Sequence, residues 1–113
     1  MSKIESLKNS YQFGHVYKNG VSRANKDLVM YVLDNGSESN RLGISVSKKV
    51  GNSVVRHHMC RLIRETYRLH ENMFNSGLDI VVVVRRGSAK TSYNEIEDSM
   101  IHLAKLHHIY KEE

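Results

Sequence analysis

The stretch from Ser45 to Arg68 constrains the fold more than any other part of the chain. It contains six Lys and Arg side chains against one acid, Glu65, a net charge of +5 that equals the net charge of the whole protein. The remaining residues carry eleven basic and eleven acidic side chains, which cancel. Positive charge concentrated on one element is typical of a nucleic-acid-binding surface, so one face of this stretch must stay in solvent.

The pattern within this stretch predicts an amphipathic helix over about residues 53–70. Gly51, Asn52 and Ser53 break the preceding strand and offer capping side chains. The apolar residues on one side of the helical wheel are Val55, Met59, Leu62, Ile63 and Leu69. The residues on the other side are His57, Arg61, Arg64 and Arg68. A solvated helix face is the plainer alternative, but these cationic or near-cationic side chains would repel one another without an anionic partner such as phosphate, which the guanidinium fork fits well.

Length and composition indicate one nucleic-acid-binding domain over residues 1–113, with residues 1–9 polar and expected to be mobile. The single cysteine, Cys60, excludes an intrachain disulfide and favours a reducing, cytoplasmic location. No apolar run is long enough to span a bilayer, so we expect no membrane partner.

The order of elements predicts an α+β fold with the sequence αβββαβα. The predicted helices cover residues 11–19, 53–70 and 93–108, and the predicted strands cover 21–24, Leu28–Leu33, Leu42–Ser47 and Ile80–Val84. We therefore expect a two-layer sandwich with a four-stranded mixed sheet. Five successive aliphatic residues from Ile80 predict a strand covered on both faces. The strand, basic helix and strand form a β-α-β crossover, for which the general rule is a right hand.

An open strand face beside aromatic residues suggests a second binding surface, separate from the basic helix. In the strand Leu42–Ser47, apolar residues alternate with the small residues Gly43, Ser45 and Ser47, which leaves one face open. Phe13 and Tyr17 on the first helix can face Val29 and Tyr31 on the neighbouring strand. Aromatic rings beside an open strand suit unpaired bases. The alternative, that these rings belong to the core, fits Phe13 better than the tyrosines, whose hydroxyl groups need a polar neighbour.

The sequence offers no catalytic site of its own. Its twelve acids are scattered, and it has no Ser/His/Asp signature, P-loop or dinucleotide-binding turn. His57, His58 and Cys60 lack the spacing and the second ligand pair of a structural zinc site, so we predict no metal site there. These observations favour a binding module over a self-sufficient nuclease.

Residues 48–64 resemble the arginine-rich signature of the bacterial ribonuclease P protein component. The matching positions are Lys48, Gly51, Ser53, Val54, Arg56, His57, His58, Cys60, Arg61 and Arg64. The element order and the length of the chain match as well. The family usually has Asn and then Arg at the positions of His57 and His58, Lys at Cys60, and Ala at Ser53, so this chain carries less charge on the signature.

The resemblance implies the small subunit of a ribonucleoprotein endonuclease that removes the 5′ leader from precursor tRNA. Its RNA subunit and bound Mg²⁺ supply the chemistry, the protein alone is inactive, and no further protein partner is required. The implied RNA-subunit-binding residues are Lys48, Lys49, Arg56, His57, Arg61, Arg64 and Arg68. The implied leader-binding cleft consists of Phe13, Tyr17, Val29, Tyr31, Ser45 and Ser47. The resemblance also implies a left-handed β-α-β crossover, against the general rule.

Two other functions remain open at this point. A general RNA-binding or ribosome-associated module would use the same arginine face without preferring precursor to mature tRNA. A metal-dependent nuclease would cleave RNA without an RNA subunit, and the lack of a carboxylate cluster makes it the weakest of the three readings.

Overall fold

The computed structural model describes residues 4–87 and 92–111, which form three helices and one five-stranded sheet. The strands are β1 (Glu5–Ser6), β2 (Val21–Ala24), β3 (Leu28–Asp34), β4 (Arg41–Ser45) and β5 (Leu78–Val84). The helices are α1 (Ser10–Asn19), α2 (Ser53–His70) and α3 (Tyr93–Leu106), and a short 3₁₀ turn, Glu71–Met73, follows α2. The strand order across the sheet is β1-β4-β5-β3-β2.

Strand β5 lies at the centre of the sheet, parallel to β4 and antiparallel to β3. All of its residues are buried except Val83, which is half-buried. This confirms a strand covered on both faces, and the parallel pairing of β4 with β5 confirms that α2 makes a β-α-β crossover. The hand of this crossover stays a prediction.

The helices lie on both faces of the sheet, so the predicted two-layer arrangement is wrong. On one face, α2 and α3 cover the larger cluster, which contains Met30, Ile80, Met59 and Met100. On the other face, α1 covers a smaller cluster around Val81. The alternation of strand side chains explains the division, because successive residues of β5 point to opposite faces.

The sheet has five strands and not the predicted four, because Glu5–Ser6 pairs in parallel with the start of β4. The backbone N–H of Leu7 donates to the carbonyl of Leu42 at 3.0 Å, and the Leu7 side chain is buried. Two polar residues carry no strand pattern, and only the free edge of β4 makes them a strand. Of the segment expected to be mobile, residues 1–3 lie outside the described residues, and the rest contacts the sheet and α1.

The ends of the other elements follow local capping signals. Ser92 and Glu95 form the predicted capping box at the start of α3, with both reciprocal hydrogen bonds present. Strand β4 ends at Ser45, two residues before the predicted end.

Within residues 4–87 and 92–111, no helix has the length and apolar character that crossing a bilayer requires.

Candidate RNA-binding surfaces

Helix α2 packs one face against the sheet and exposes the other. The Asn52 side chain caps the helix by accepting a hydrogen bond from the backbone N–H of Val55 at 3.0 Å. Met59 and Ile63 are buried against the sheet, as predicted. Leu69 was predicted to be buried but is 52% exposed. Tyr67 takes its place in the core, since its ring packs on Phe74 and its hydroxyl accepts a hydrogen bond from Asn40.

The outer face of α2 carries the predicted His and Arg side chains in solvent. His57, Arg61, Arg64 and Arg68, which we call the basic ridge, are all exposed. Arg64 donates to the Ser6 hydroxyl at 3.1 and 3.3 Å, so β1 steadies its guanidinium. Arg68 is paired with Glu65, to which its Nε donates at 3.2 Å. Arg61 makes no hydrogen bond or ion pair with the described residues, and the only hydrogen-bond partner of Arg64 among them is a neutral hydroxyl, so Arg68 is the one arginine of the three whose charge is offset by an acid.

Arg56 differs from the basic ridge because it is half-buried. It borders a groove between the end of β4 and the start of α2, together with Ile44, Val46, His57 and Cys60. Its Nε is buried and has no hydrogen-bond partner in the described part of the chain. Burial raises the pKa of the neighbouring Cys60 thiol, although the nearby arginines act in the opposite direction. Cys60 is therefore a neutral wall of this groove at neutral pH.

Lys48 and Lys49 occupy the turn between β4 and α2. Both side chains are exposed, and the turn is closed by a hydrogen bond of 3.0 Å from the Val50 N–H to the Ser47 carbonyl. The two lysines precede the α2 N-terminus by only a few residues, so they add positive charge where the free N–H groups of the helix lie. Ser47 is exposed in this turn and lies outside the strand.

Two of the predicted cleft residues, Val29 and Ser45, lie in one row on one face of the sheet, together with Val83. Val83 on β5 pairs with Val29 on one side and with Ser45 on the other. These three side chains therefore point to the face on which α1 lies, and all three are only half-buried. The next row, in which Val81 pairs with Tyr31 and Gly43, is covered more completely by α1.

Aromatic rings border this row from the side of α1. The rings of Tyr17 and Tyr31 meet edge to face, with centroids 4.9 Å apart, and Tyr17 is 39% exposed. Phe13 lies 6.4 Å from Tyr17 and is half-buried against Gly43. Phe13 is thus partly a core residue, whereas the two tyrosines keep ring surface at the opening. We call the half-buried row and these rings the sheet cleft.

The sheet cleft and the basic ridge are joined along the chain at the end of β4. Ser45, at the end of β4, belongs to the cleft, and the chain then passes through Lys48 and Lys49 into α2. One continuous strand, turn and helix therefore links an open, aromatic-lined surface to a cationic one. The described residues include no group of three or more His, Cys, Asp or Glu side chains placed to hold a metal ion.

Comparison with known proteins assigns the chain to a family. Residues 1–107 match the family model described as Ribonuclease P. The chain belongs to the ribonuclease P protein family. A ribonuclease P protein component from Lachnoclostridium phytofermentans is 68% identical over 105 residues, which cover 93% of this chain and 90% of the relative. One from Alkaliphilus metalliredigens is 44% identical and covers 93% and 95% of the two chains.

Solved ribonuclease P proteins share the fold. The structure from Staphylococcus aureus superposes with a TM-score of 0.88 at 34% identity, covering 96% of this chain and all of that one. The structure from Thermotoga maritima gives a TM-score of 0.83 at 28% identity, covering 90% and 96% of the two chains. The family resemblance of residues 48–64 is confirmed, and the individual roles of the ridge and cleft residues stay predictions.

Proposed function

We propose that this chain is the protein subunit of ribonuclease P and helps an RNA subunit to remove the 5′ leader of precursor tRNA. The basic ridge, Lys48, Lys49 and Arg56 would bind the RNA subunit. The sheet cleft would hold the single-stranded leader. Family membership supports the assignment to ribonuclease P, and the continuity of β4, the turn at Lys48 and Lys49, and α2, which together carry the two surfaces, is the observation that supports this division of labour.

The basic ridge supports the RNA-subunit contact through its charge and its geometry. Its arginines recur at the spacing of the helical repeat and so lie on one face of α2. The opposite face of the helix is fixed in the core, which keeps the arginines in place. Each guanidinium can donate two hydrogen bonds to one phosphate. Added positive charge between two polyanions also lowers the cation concentration that their association requires.

The sheet cleft supports a leader contact because its chemistry suits unpaired nucleotides. The rings of Tyr17 and Tyr31, which meet edge to face, offer surface on which a base can stack. Ser45 and Val29 are only half-buried and leave room for a flexible single strand of RNA. Stacking on aromatic rings tolerates any base, so such a cleft would accept leaders of different sequence. Tyr17 is the best probe because its ring is the more exposed of the two.

In this proposal the RNA subunit carries the catalysis. Mg²⁺, held mainly by that RNA and by the substrate, supplies the charge stabilisation that hydrolysis of a phosphodiester needs. The protein contributes affinity and position. The expectation of a cytoplasmic location continues to rest on the single cysteine.

The direct test is cleavage of precursor tRNA at low Mg²⁺ by the protein alone, a bacterial ribonuclease P RNA alone, and the two together. The proposal predicts cleavage at the leader junction in the mixture only. Cleavage by the protein alone, lost with EDTA, would indicate a metal-dependent nuclease. RNA binding without any gain in cleavage, when the RNA alone is active at high Mg²⁺, would favour a general RNA-binding module.

A second test isolates the cleft. Tyr17→Ala should weaken binding of precursor tRNA to the reconstituted complex and spare binding of mature tRNA, because only the precursor has a leader. Tyr17→Phe is the matched control, since it keeps the ring. Equal losses on precursor and mature tRNA would remove Tyr17 from the leader contact.

A further inference from the structure

The outer face of α1, which points away from the sheet cleft, carries aromatic surface that the fold does not use. Tyr11 is 81% exposed, the highest value among the large hydrophobic side chains of the described residues. Its ring stacks on the imidazole of His15 at a centroid distance of 6.4 Å and an interplanar angle of 15°. Exposing the apolar surface of these parallel rings to water is unfavourable, and the rings add nothing to the packing of the core.

The position of His15 in this pair is fixed by Asn19. The Asn19 Nδ2 lies 3.2 Å from the His15 Nδ1 and also donates to the His15 carbonyl at 3.0 Å. Because an amide nitrogen only donates, the Nδ1 accepts and the ring is held in one orientation. Tyr11, His15 and Asn19 therefore form an ordered ladder with four-residue spacing, one face of which stays open at Tyr11.

A notch separates this ladder from the sheet cleft. Gly14 lies in the middle of α1, where a methyl group added to it would meet no atom within 4 Å. Gly is a poor helix former, and nothing in the packing of residues 4–87 and 92–111 requires it here. Tyr11, Gly14 and Tyr17 follow one another at three-residue intervals. They therefore form a row that runs obliquely around the helix, from the sheet cleft to the outer face. The rise of the helix spaces Tyr11 and Tyr17 by about 9 Å along its axis.

The charge of this segment suits RNA. Residues 8–19 contain Lys8 and Lys18 and no acidic residue, and both lysines are exposed. A strand of RNA that leaves the cleft at Tyr17 and crosses the notch would meet a stacking surface with positive charge on both sides. An acidic or purely apolar partner would explain one of these features but not all of them.

We propose that Tyr11, His15 and the notch at Gly14 form a second base-stacking site, which binds leader nucleotides upstream of those in the sheet cleft. This inference rests on the proposed function. Gly14 allows the RNA backbone to approach the helix closely, and the Tyr11 ring, backed by His15, stacks on one base. Precursors with long leaders thus gain a contact that precursors with short leaders cannot make.

The test measures the affinity of the reconstituted complex for precursor tRNAs whose leaders increase in length. Tyr11→Ala should weaken binding about five-fold or more once the leader is long enough to reach α1, and leave short-leader binding unchanged. Tyr11→Phe, which keeps the ring, should bind as the unchanged protein does. Leu106→Ala removes another exposed apolar side chain, on α3, and serves as the control for nonspecific surface effects.

Gly14→Ala gives a second readout that a merely structural role would not produce. The added methyl group should raise the melting temperature, because Ala is the better helix former, and should still lower affinity for long leaders by filling the notch. Affinity for long leaders that is unchanged in both Tyr11→Ala and Gly14→Ala would overturn the inference. Losses that do not depend on leader length would overturn it as well.

Tyr17→Ala separates this inference from the proposed function. If Tyr17→Ala discriminates precursor from mature tRNA and Tyr11→Ala has no effect, the sheet cleft stands and the second site falls. If neither variant shows a leader-dependent effect, the leader-binding part of the proposed function falls with it.

Discussion

Replacing Arg61 by Ala should reduce the salt dependence of RNA-subunit binding more than replacing Arg68. Arg61 is exposed and makes no hydrogen bond or ion pair with the described residues, so its full charge is available to phosphate. Arg68 is held by Glu65, and the hydrogen bonds from Arg68 lower the pKa of the Glu65 carboxyl, which therefore stays ionised. The net charge that Arg68 brings to RNA is correspondingly smaller.

The size of the effect follows from counterion release. Each phosphate neutralised by a protein cation contributes about 0.9 to the slope of log affinity against log salt for a duplex, and about 0.7 for a single strand. Between 50 and 200 mM salt, the affinity ratio of the unchanged protein to Arg61→Ala should then shrink by roughly three-fold. Arg68→Ala should change the slope less, and Glu65→Gln should strengthen RNA binding.

The assay is a titration of a bacterial ribonuclease P RNA with each variant at fixed Mg²⁺ and several monovalent salt concentrations. Arg23→Ala is the matched control, because it removes an exposed guanidinium from β2, at the opposite edge of the sheet from β1. An unchanged slope for Arg61→Ala would mean that this residue does not contact phosphate. Equal slope changes for Arg61→Ala and Arg68→Ala would refute the argument from the ion pair.

Three further predictions concern stability. Asp79→Asn should lower the free energy of unfolding in urea by about 2 kcal/mol, because the buried carboxylate accepts hydrogen bonds of 2.7 and 2.9 Å from Arg41. Burial alone would raise the pKa of Asp79, but the Arg41 hydrogen bonds help to lower it overall, so this stabilisation should disappear as the pH falls below about 4. Gly43→Ala should cost roughly 1–3 kcal/mol in thermal denaturation, since its Cβ would lie 2.8 Å from the Phe13 ring. Burial lowers the pKa of His107, so as the pH falls the unfolded chain binds a proton at this histidine before the folded protein does. The free energy of unfolding should therefore decline as the pH falls below about 6.5. This decline should be smaller in His107→Gln.

Helix α2 shows how far a local pattern can be trusted. Charge, capping and the helical repeat are all properties of neighbouring residues, and they predicted the start of the helix, its buried Met59 and Ile63, and its exposed arginines. The same pattern failed in the last turn, where Leu69 is exposed and Tyr67 is buried. That turn packs against Phe74 and Asn40, which come from other parts of the chain, and Tyr67 alone can satisfy both an aromatic and a polar neighbour.

Strand β1 and the two-faced arrangement of helices could not be predicted in this way. Glu5–Ser6 becomes a strand only because β4 has a free edge, and that edge exists only because β5 lies between β4 and β3. A β-sheet is assembled from residues far apart in sequence, and its order is set by the combined packing of all its strands. Sequence reasoning placed α1 beside Tyr31 correctly, since the Tyr17 and Tyr31 rings are in contact, but it had no signal for which face α2 and α3 would cover.

The two candidate surfaces differ in the same way in how far the sequence could predict them. The basic ridge was visible in the sequence because a helix brings residues four apart onto one face by its own geometry. The sheet cleft depends on register, since Val29, Val83 and Ser45 become neighbours only when three strands align, and the alternation pattern proposed two of these residues without showing that Val83 joins them. A shift of one residue in the β5 register would turn Val83 toward α2 and close the row. The sheet cleft is therefore the part of the candidate site most sensitive to packing, whereas the basic ridge requires little more than an intact α2.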